Sequence, residues 1–157
     1  MRRAAISVLI LACAVYAAAL RADPLPLARD LAAAGSEARA KRVPVLIAFT
    51  TRTCPYCRVA RRDHLEPLSI SPQWRNRVVM LDMQIDNADA LIDFEGKTTT
   101  TRAFAQRLGV RSVPTLIVFD ADGNAVTAPL VGLMTRDYYS LYIERAMESG
   151  LAKMRSQ

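Results

Sequence analysis

Histidine is almost missing from this chain of 157 residues: His64 is the only one. A structural zinc site usually takes four nitrogen or sulfur ligands. His64 follows the nearest cysteine, Cys57, by seven residues, about two helical turns. A thiol-based copper or zinc carrier is therefore the rival reading and not the leading one. Glycine is also scarce, at six residues, no stretch is low in complexity and no internal repeat is present, which excludes solenoid and array architectures. Acidic residues are absent before Asp23, whereas Arg2, Arg3 and Arg21 all lie there. Half of the formal charge of +6 thus has a local origin, and the rest of the chain carries 18 basic against 15 acidic residues. No basic patch is interleaved with aromatics, so nucleic acid is excluded as a partner. The length suits one domain with a substantial core, and the 52% hydrophobic content suits such a domain plus one extra apolar segment.

That extra segment comes first. Met1-Arg2-Arg3 is a short positive region, Ala4 to Leu20 is almost unbroken apolar sequence, and Ala17-Ala18-Ala19 supplies small residues for cleavage. The pattern is that of a secretory signal peptide over residues 1–22, cut after Ala19 or Ala22, with residues 23–157 as the mature domain. Two alternatives compete with it. A run of about 17 residues is at the short limit for a membrane anchor. Ile10-Leu11-Ala12-Cys13 loosely matches a lipoprotein signal, but Leu11 fits poorly and the sequence beyond Cys13 stays apolar. Export predicts a periplasmic protein in an oxidising compartment, where disulfides persist. The mature chain then keeps two cysteines, Cys54 and Cys57.

These two lie three apart in Cys54-Pro55-Tyr56-Cys57, after the apolar run Val45 to Phe49 and before the basic stretch from Arg58. The order predicts strand, short loop and helix, with Cys54 at the first helical turn. There the unpaired backbone N–H groups and the helix dipole favour an anion, so a Cys54 thiolate is stabilised. The thiolate is the nucleophile of disulfide exchange, and Cys57 is placed to resolve the mixed disulfide. A purely structural bridge across so small a loop would gain little stability. Arg58 is read first as part of a solvated basic face, and second as a charge that favours the thiolate and steers acidic partners. Tyr56 is read as exposed docking surface. Trp74, Met80 and Met83 are read as packing, and the chemistry needs no cofactor.

Hydrophobic periodicity predicts a helix over Leu27 to Lys41, weakened by Gly35, and then a central strand from Val45. The helix after the cysteines is expected to stop near Glu66, because Pro67 restricts its predecessor. Ser71-Pro72 opens a short turn, Val78 to Ile85 is a strand, and Asp86 to Thr99 reads as polar loop. Thr100 or Thr101 caps a helix ended by Gly109. Thr115 to Phe119 is a strand, joined through Asp122-Gly123 to another over Ala125 to Val131. Thr135 caps the last helix. The fold class is α/β: a mixed four-stranded central sheet flanked by helices, with an N-terminal helical extension.

This order, with Cys54-Pro55-Tyr56-Cys57 after the first strand and Val113-Pro114-Thr115 before the third, resembles the thioredoxin fold over about Leu27 to Met154. The chain is more particularly similar to the exported SoxW/thioredoxin-related group, through Asp93-Phe94-Glu95-Gly96, Val110-Arg111-Ser112-Val113-Pro114-Thr115 and Phe119-Asp120-Ala121-Asp122-Gly123. The resemblance implies a cis Pro114 facing the cysteines, and a Val113 backbone that pairs with an extended substrate peptide. Pro55 and Arg58 would support the pair. It implies a reductant of protein disulfides, supplied by a membrane thiol donor of the CcdA/DsbD type; a disulfide-forming oxidant is the alternative direction. Ala48 stands where cytosolic thioredoxins carry a buried acid, and Thr53 where they carry Trp, so the proton relay is expected to be absent or water-borne. Pro-Tyr between the cysteines matches glutaredoxins, but no Gly-Gly follows, and glutathione binding is not inferred.

Overall fold

The computed structural model describes residues 25–156 except Met134; the segment read as a signal peptide, with Cys13, lies outside them. In chain order the elements are α1 (Leu31–Lys41), β1 (Val45–Thr50), α2 (Pro55–Val59), a π-helical segment (Ala60–Leu65), α3 (Glu66–Ile70), β2 (Val79–Gln84), β3 (Ala90–Ile92) and β4 (Thr98–Thr100). They continue as α4 (Thr101–Arg107), β5 (Thr115–Phe119), β6 (Leu130–Val131), a 3-10 turn (Arg136–Tyr138) and α5 (Tyr139–Arg155). Among the described residues no helix is long and apolar enough to cross a membrane.

Every residue of β1 is buried, as an unbroken apolar run requires when both faces are covered. β1 lies inside a sheet of order β2-β1-β5-β6. It pairs parallel with β2 and antiparallel with β5, and β6 adds antiparallel to β5. The helical crossover between β1 and β2 is the connection a parallel pair needs. The mixed four-stranded sheet and its flanking helices match the predicted class. One face of the sheet carries α1 and α4, with Phe49 against Phe104 and Phe119 against Phe94. The other carries α5 and the helical run that follows Cys54. There α5 comes so close that a Cβ on Gly150 would stand 2.8 Å from Val118 Cγ1.

Several boundaries differ from those predicted. α1 starts at Leu31, where Asp30 caps it by accepting the Ala33 N–H. Leu27 instead bridges to Asp82, so the lead-in covers the outer edge of β2. The helix after the cysteines does not stop near Glu66 but runs on to Ile70. Proline is excluded from an α-helix because its ring meets the carbonyl four residues back and it lacks an N–H. The wider π turn before it relieves that conflict: the Glu66 N–H reaches back to Arg61, and Pro67 enters as the start of a new α-helical stretch. The expected loop from Asp86 to Thr99 contains the β3–β4 hairpin. The predicted strand over Ala125 to Val131 shrinks to Leu130–Val131, with only a single bridge from Ala125 to Phe119. Pro129 cannot donate to a ladder. The last helix begins at Tyr139, after a turn in which the Tyr138 N–H bonds the Thr135 carbonyl.

Candidate active site

β1 ends at Thr50, and the loop that follows delivers Cys54 as the N-cap of α2. Pro55 occupies the first turn, where its missing N–H costs nothing and its fixed φ suits the helix. The Cys57 N–H donates to Cys54 Sγ at 3.0 Å. Cys54 and Cys57 form a disulfide, with Cα atoms 5.2 Å apart. The two sulfurs are not equivalent. Cys57 is fully buried, whereas Cys54 is half-buried and is the one a visitor reaches.

Across from them stands the segment before β5. The Val113–Pro114 peptide is cis, and the Val113 carbonyl oxygen lies 4.0 Å from Cys54 Sγ. Two bonds fix this segment: the Gly132 N–H to the Pro114 carbonyl at 2.7 Å, and the Thr115 hydroxyl to the Ser112 carbonyl at 2.8 Å. Pro114 is buried and Val113 half-buried. Residues 59 positions apart thus meet at one end of the sheet. Tyr56 projects beside them, 65% exposed. Arg58 is exposed and has no ion pair among the described residues.

Other singled-out residues lie elsewhere. His64 bonds Ser140 through Nδ1 at 2.8 Å and meets the edge of the Tyr139 ring. Burial pushes the Tyr139 hydroxyl up to about 12. No group of three or more His, Cys, Asp or Glu able to hold a metal occurs among the described residues. Trp74, Met80 and Met83 are buried in the core.

Two features escaped the reading of the sequence. Arg52, two residues before Cys54, donates from its backbone N–H and from Nε to Asp86, tying the cysteine loop to the end of β2. Burial pushes the Asp86 carboxyl up, but the bonds from Arg52 outweigh it and leave it below its ordinary value. The second feature is a buried acid. Asp82 lies beside Ala48 in the β1–β2 register and is 2% exposed. Its Oδ1 accepts the Thr50 hydroxyl at 2.6 Å and its Oδ2 accepts Arg61 Nη1 at 2.8 Å. A lone Asp inside the apolar run Val78 to Ile85 was the available signal, since a buried charge needs a partner.

The chain belongs to the thioredoxin-like domain family, whose model matches residues 31–146. With a disulfide of C-x-x-C spacing at the head of a helix, it is a thiol–disulfide oxidoreductase of that family, a class that acts on protein thiols. Solved structures agree on the fold. Oxidised thioredoxin O2 from Arabidopsis thaliana is similar at 23% identity, covering 78% of this chain and 90% of its own, with a TM-score of 0.53. Mitochondrial thioredoxin 3 from Saccharomyces cerevisiae is similar at 15% identity, covering 79% and 93%, with a TM-score of 0.53. A thioredoxin-fold protein from Helicobacter pylori is similar at 18% identity, covering 73% and 81%, with a TM-score of 0.52. No curated protein matches the chain.

Proposed function

We propose that this protein is a periplasmic reductant of protein disulfides, with Cys54 as nucleophile and Cys57 as resolver. The observation that carries this reading is the environment of the Cys54 sulfur: it is reachable, it accepts the Cys57 N–H at 3.0 Å, and it faces the Val113 carbonyl at 4.0 Å. A thiolate there keeps a backbone donor at the head of the helical run. In the reduced protein Cys54 attacks one sulfur of a substrate disulfide. A bond forms from Cys54 to that sulfur, and the other substrate sulfur leaves as a thiolate. Cys57 gives up its proton and attacks Cys54 Sγ, the second substrate sulfur leaves, and the Cys54–Cys57 disulfide closes. Two electrons have passed to the substrate.

The Val113 backbone, the buried Pro114 and the exposed Tyr56 border the sulfur that the substrate must approach. They make up the substrate-binding strip in this reading, with an extended peptide lying along Val113. Pro55 supports the pair by starting the helix, and Arg58 supports it by steering acidic partners to it. The leader sequence supports export, and the Asp93-Phe94-Glu95-Gly96 motif supports a place in the SoxW/thioredoxin-related group. A membrane dithiol donor of the CcdA/DsbD type would return the two electrons. Direction rests on the midpoint potential: a value near about −270 mV marks a reductant and one near about −120 mV an oxidant. In the insulin-turbidity assay the wild-type protein should turn over, and Cys54→Ser should fall to the uncatalysed rate. Turnover retained in Cys54→Ser overturns the assignment.

A further inference from the structure

At the end of the sheet away from the cysteines lies a recess of about 440 Å³, lined by Arg39, Arg42, Ala121, Asp122, Met154 and Arg155. Its size falls in the range of small-molecule sites, about 300–1,000 Å³. Buried Ala121 and Met154 make its apolar floor. Arg42 lies between α1 and β1, and Ala121 and Asp122 follow β5. The strand residues nearest them, Val45 and Phe119, are partners in the ladder. Arg155 arrives from the last turn of α5. Cys54 follows the other end of β1, so the six residues of that strand, about 20 Å, separate the recess from the sulfurs.

Three guanidinium groups and one carboxylate line this recess. Asp122 pairs with Arg39, which leaves Arg42 and Arg155 with no ion pair among the described residues. The carbonyl ends of α1 and α5 account for the sign of these side chains, because a helix C-terminus favours cations. They do not account for Arg42. It caps α1 at φ 54° and ψ 48°, in the left-handed region. Glycine is the usual residue at such a cap, because a Cβ there strains the backbone. Among the described residues Arg42 alone holds a positive φ without being glycine. Strain of this kind is kept at ligand clamps, where the side chain is used.

We propose that this recess binds a phosphomonoester, with Arg42 and Arg155 on its oxygens and Arg39, held by Asp122, completing the positive wall. Guanidinium forks match the paired oxygens of a phosphoryl group. Asp122 and the two helix ends oppose an anion, so a single negative charge gains little there. A phosphomonoester carries nearly two charges at neutral pH and gains most. A small soluble phosphate ester and the headgroup of phosphatidic acid share that chemistry. No covalent bond is made or broken at the site. It stands independently of the redox reading, and an occupied recess leaves the cysteines open to substrate.

The test is a titration of the isotope-labelled protein with glycerol 3-phosphate at about pH 8 and constant ionic strength, followed by amide NMR signals. Those of residues 39–43, 121–123 and 153–155 should shift and saturate, while those around Cys54 stay. Arg42→Gly and Arg155→Gln should each raise the dissociation constant about tenfold, as one charged donor is lost. Arg42→Gly also relieves the left-handed backbone, so its urea midpoint should not fall and misfolding does not explain the weaker binding. Arg145→Gln, on α5 but about 15 Å along it from Arg155, should bind as the wild type does. Sedimentation with phosphatidylcholine vesicles containing phosphatidic acid separates the two sources. Binding that depends on Arg42 marks the lipid headgroup, and no binding marks a soluble ester. A titration that does not saturate, shifts that sodium chloride reproduces, an affinity untouched in Arg42→Gly, or an equal loss in Arg145→Gln overturns the proposal.

Discussion

The two faces of the central sheet are built from different materials. On the side of α1 and α4 the contacts are aromatic: Phe49 stacks on Phe104 at 6.5 Å, and Phe94 meets Phe104 at 6.3 Å and Phe119 at 5.5 Å. On the other side the sheet presents Ala48, Thr50 and Asp82 to a helical run that brings Cys57 and Arg61. Aromatic packing is large in area and adds no ionisable group. A buried ion pair adds little to stability. Both faces bury apolar side chains, but only the second lies under the chemistry.

The largest expected effect would break that division if it failed. Phe104→Ala removes a ring that touches Phe49 and Phe94 in the buried core. It should cost about 3–5 kcal/mol, read as a lowered urea midpoint, and leave the midpoint potential of the cysteines unchanged. A shifted potential would show that the aromatic face also governs the site.

Next comes the margin of the aromatic face, where Asp93 is buried in the β3–β4 turn. It accepts the backbone N–H groups of Glu95 and Lys97 and pairs with Arg107 at 2.9 Å. The Arg107 bond holds its carboxyl below the ordinary value, against burial, with the backbone donors helping. Asp93→Ala should cost about 2–3 kcal/mol, as buried donors lose a charged acceptor. The sign with pH follows from the lowered value. The contribution is fully present above the unfolded carboxyl pKa of about 3.9 and is lost as pH falls through the folded value. Urea midpoints of wild type and variant should therefore differ at pH 6 and converge in strong acid.

How much of this was legible in the sequence depends on how local each feature is. β1 and β5 were plain because unbroken apolar runs demand two covered faces, and Thr115 to Phe119 was placed at its observed ends. Cys54 and Cys57 announced themselves by spacing and by the strand before them. Pro67 misled because the rule that ends a helix before proline assumes an α-helix, and a π turn escapes it. The β3–β4 hairpin was missed because its strands have three residues each and one of them is Thr98–Thr100, polar throughout. Arg61 gave no local sign. Its ion pair with Asp82 exists only once β2 is laid beside β1 and the helix is packed over both.

A smaller effect sharpens the comparison of the faces. Alanine in place of a helical glycine ordinarily stabilises by about 1 kcal/mol. Gly35 in α1 should do the reverse, because its Cβ would stand 2.5 Å from the Ala121 carbonyl oxygen, a backbone atom that cannot swing aside. Gly35→Ala should cost about 1–3 kcal/mol through this overpacking, read again in urea. The glycine that looked like a weakness in the helix is the condition for its close approach.

The smallest effect separates two arginines that lie three residues apart. Arg61 is paired under the sheet, whereas Arg58 stands in solvent beside the cysteines. An exposed cation acts through water, at a range cut to about 8–10 Å by physiological salt. It therefore influences the approach of a charged partner more than the state of the half-buried Cys54 sulfur. Arg58→Gln should slow reduction of an acidic disulfide substrate by a few-fold at low ionic strength, through the association step, and the difference should vanish in about 0.5 M salt. The glutathione equilibrium should stay where it is. A salt-independent loss, or a displaced potential, would mean that Arg58 works on the thiolate itself, and the line drawn between the exposed and the buried arginine would have to be redrawn.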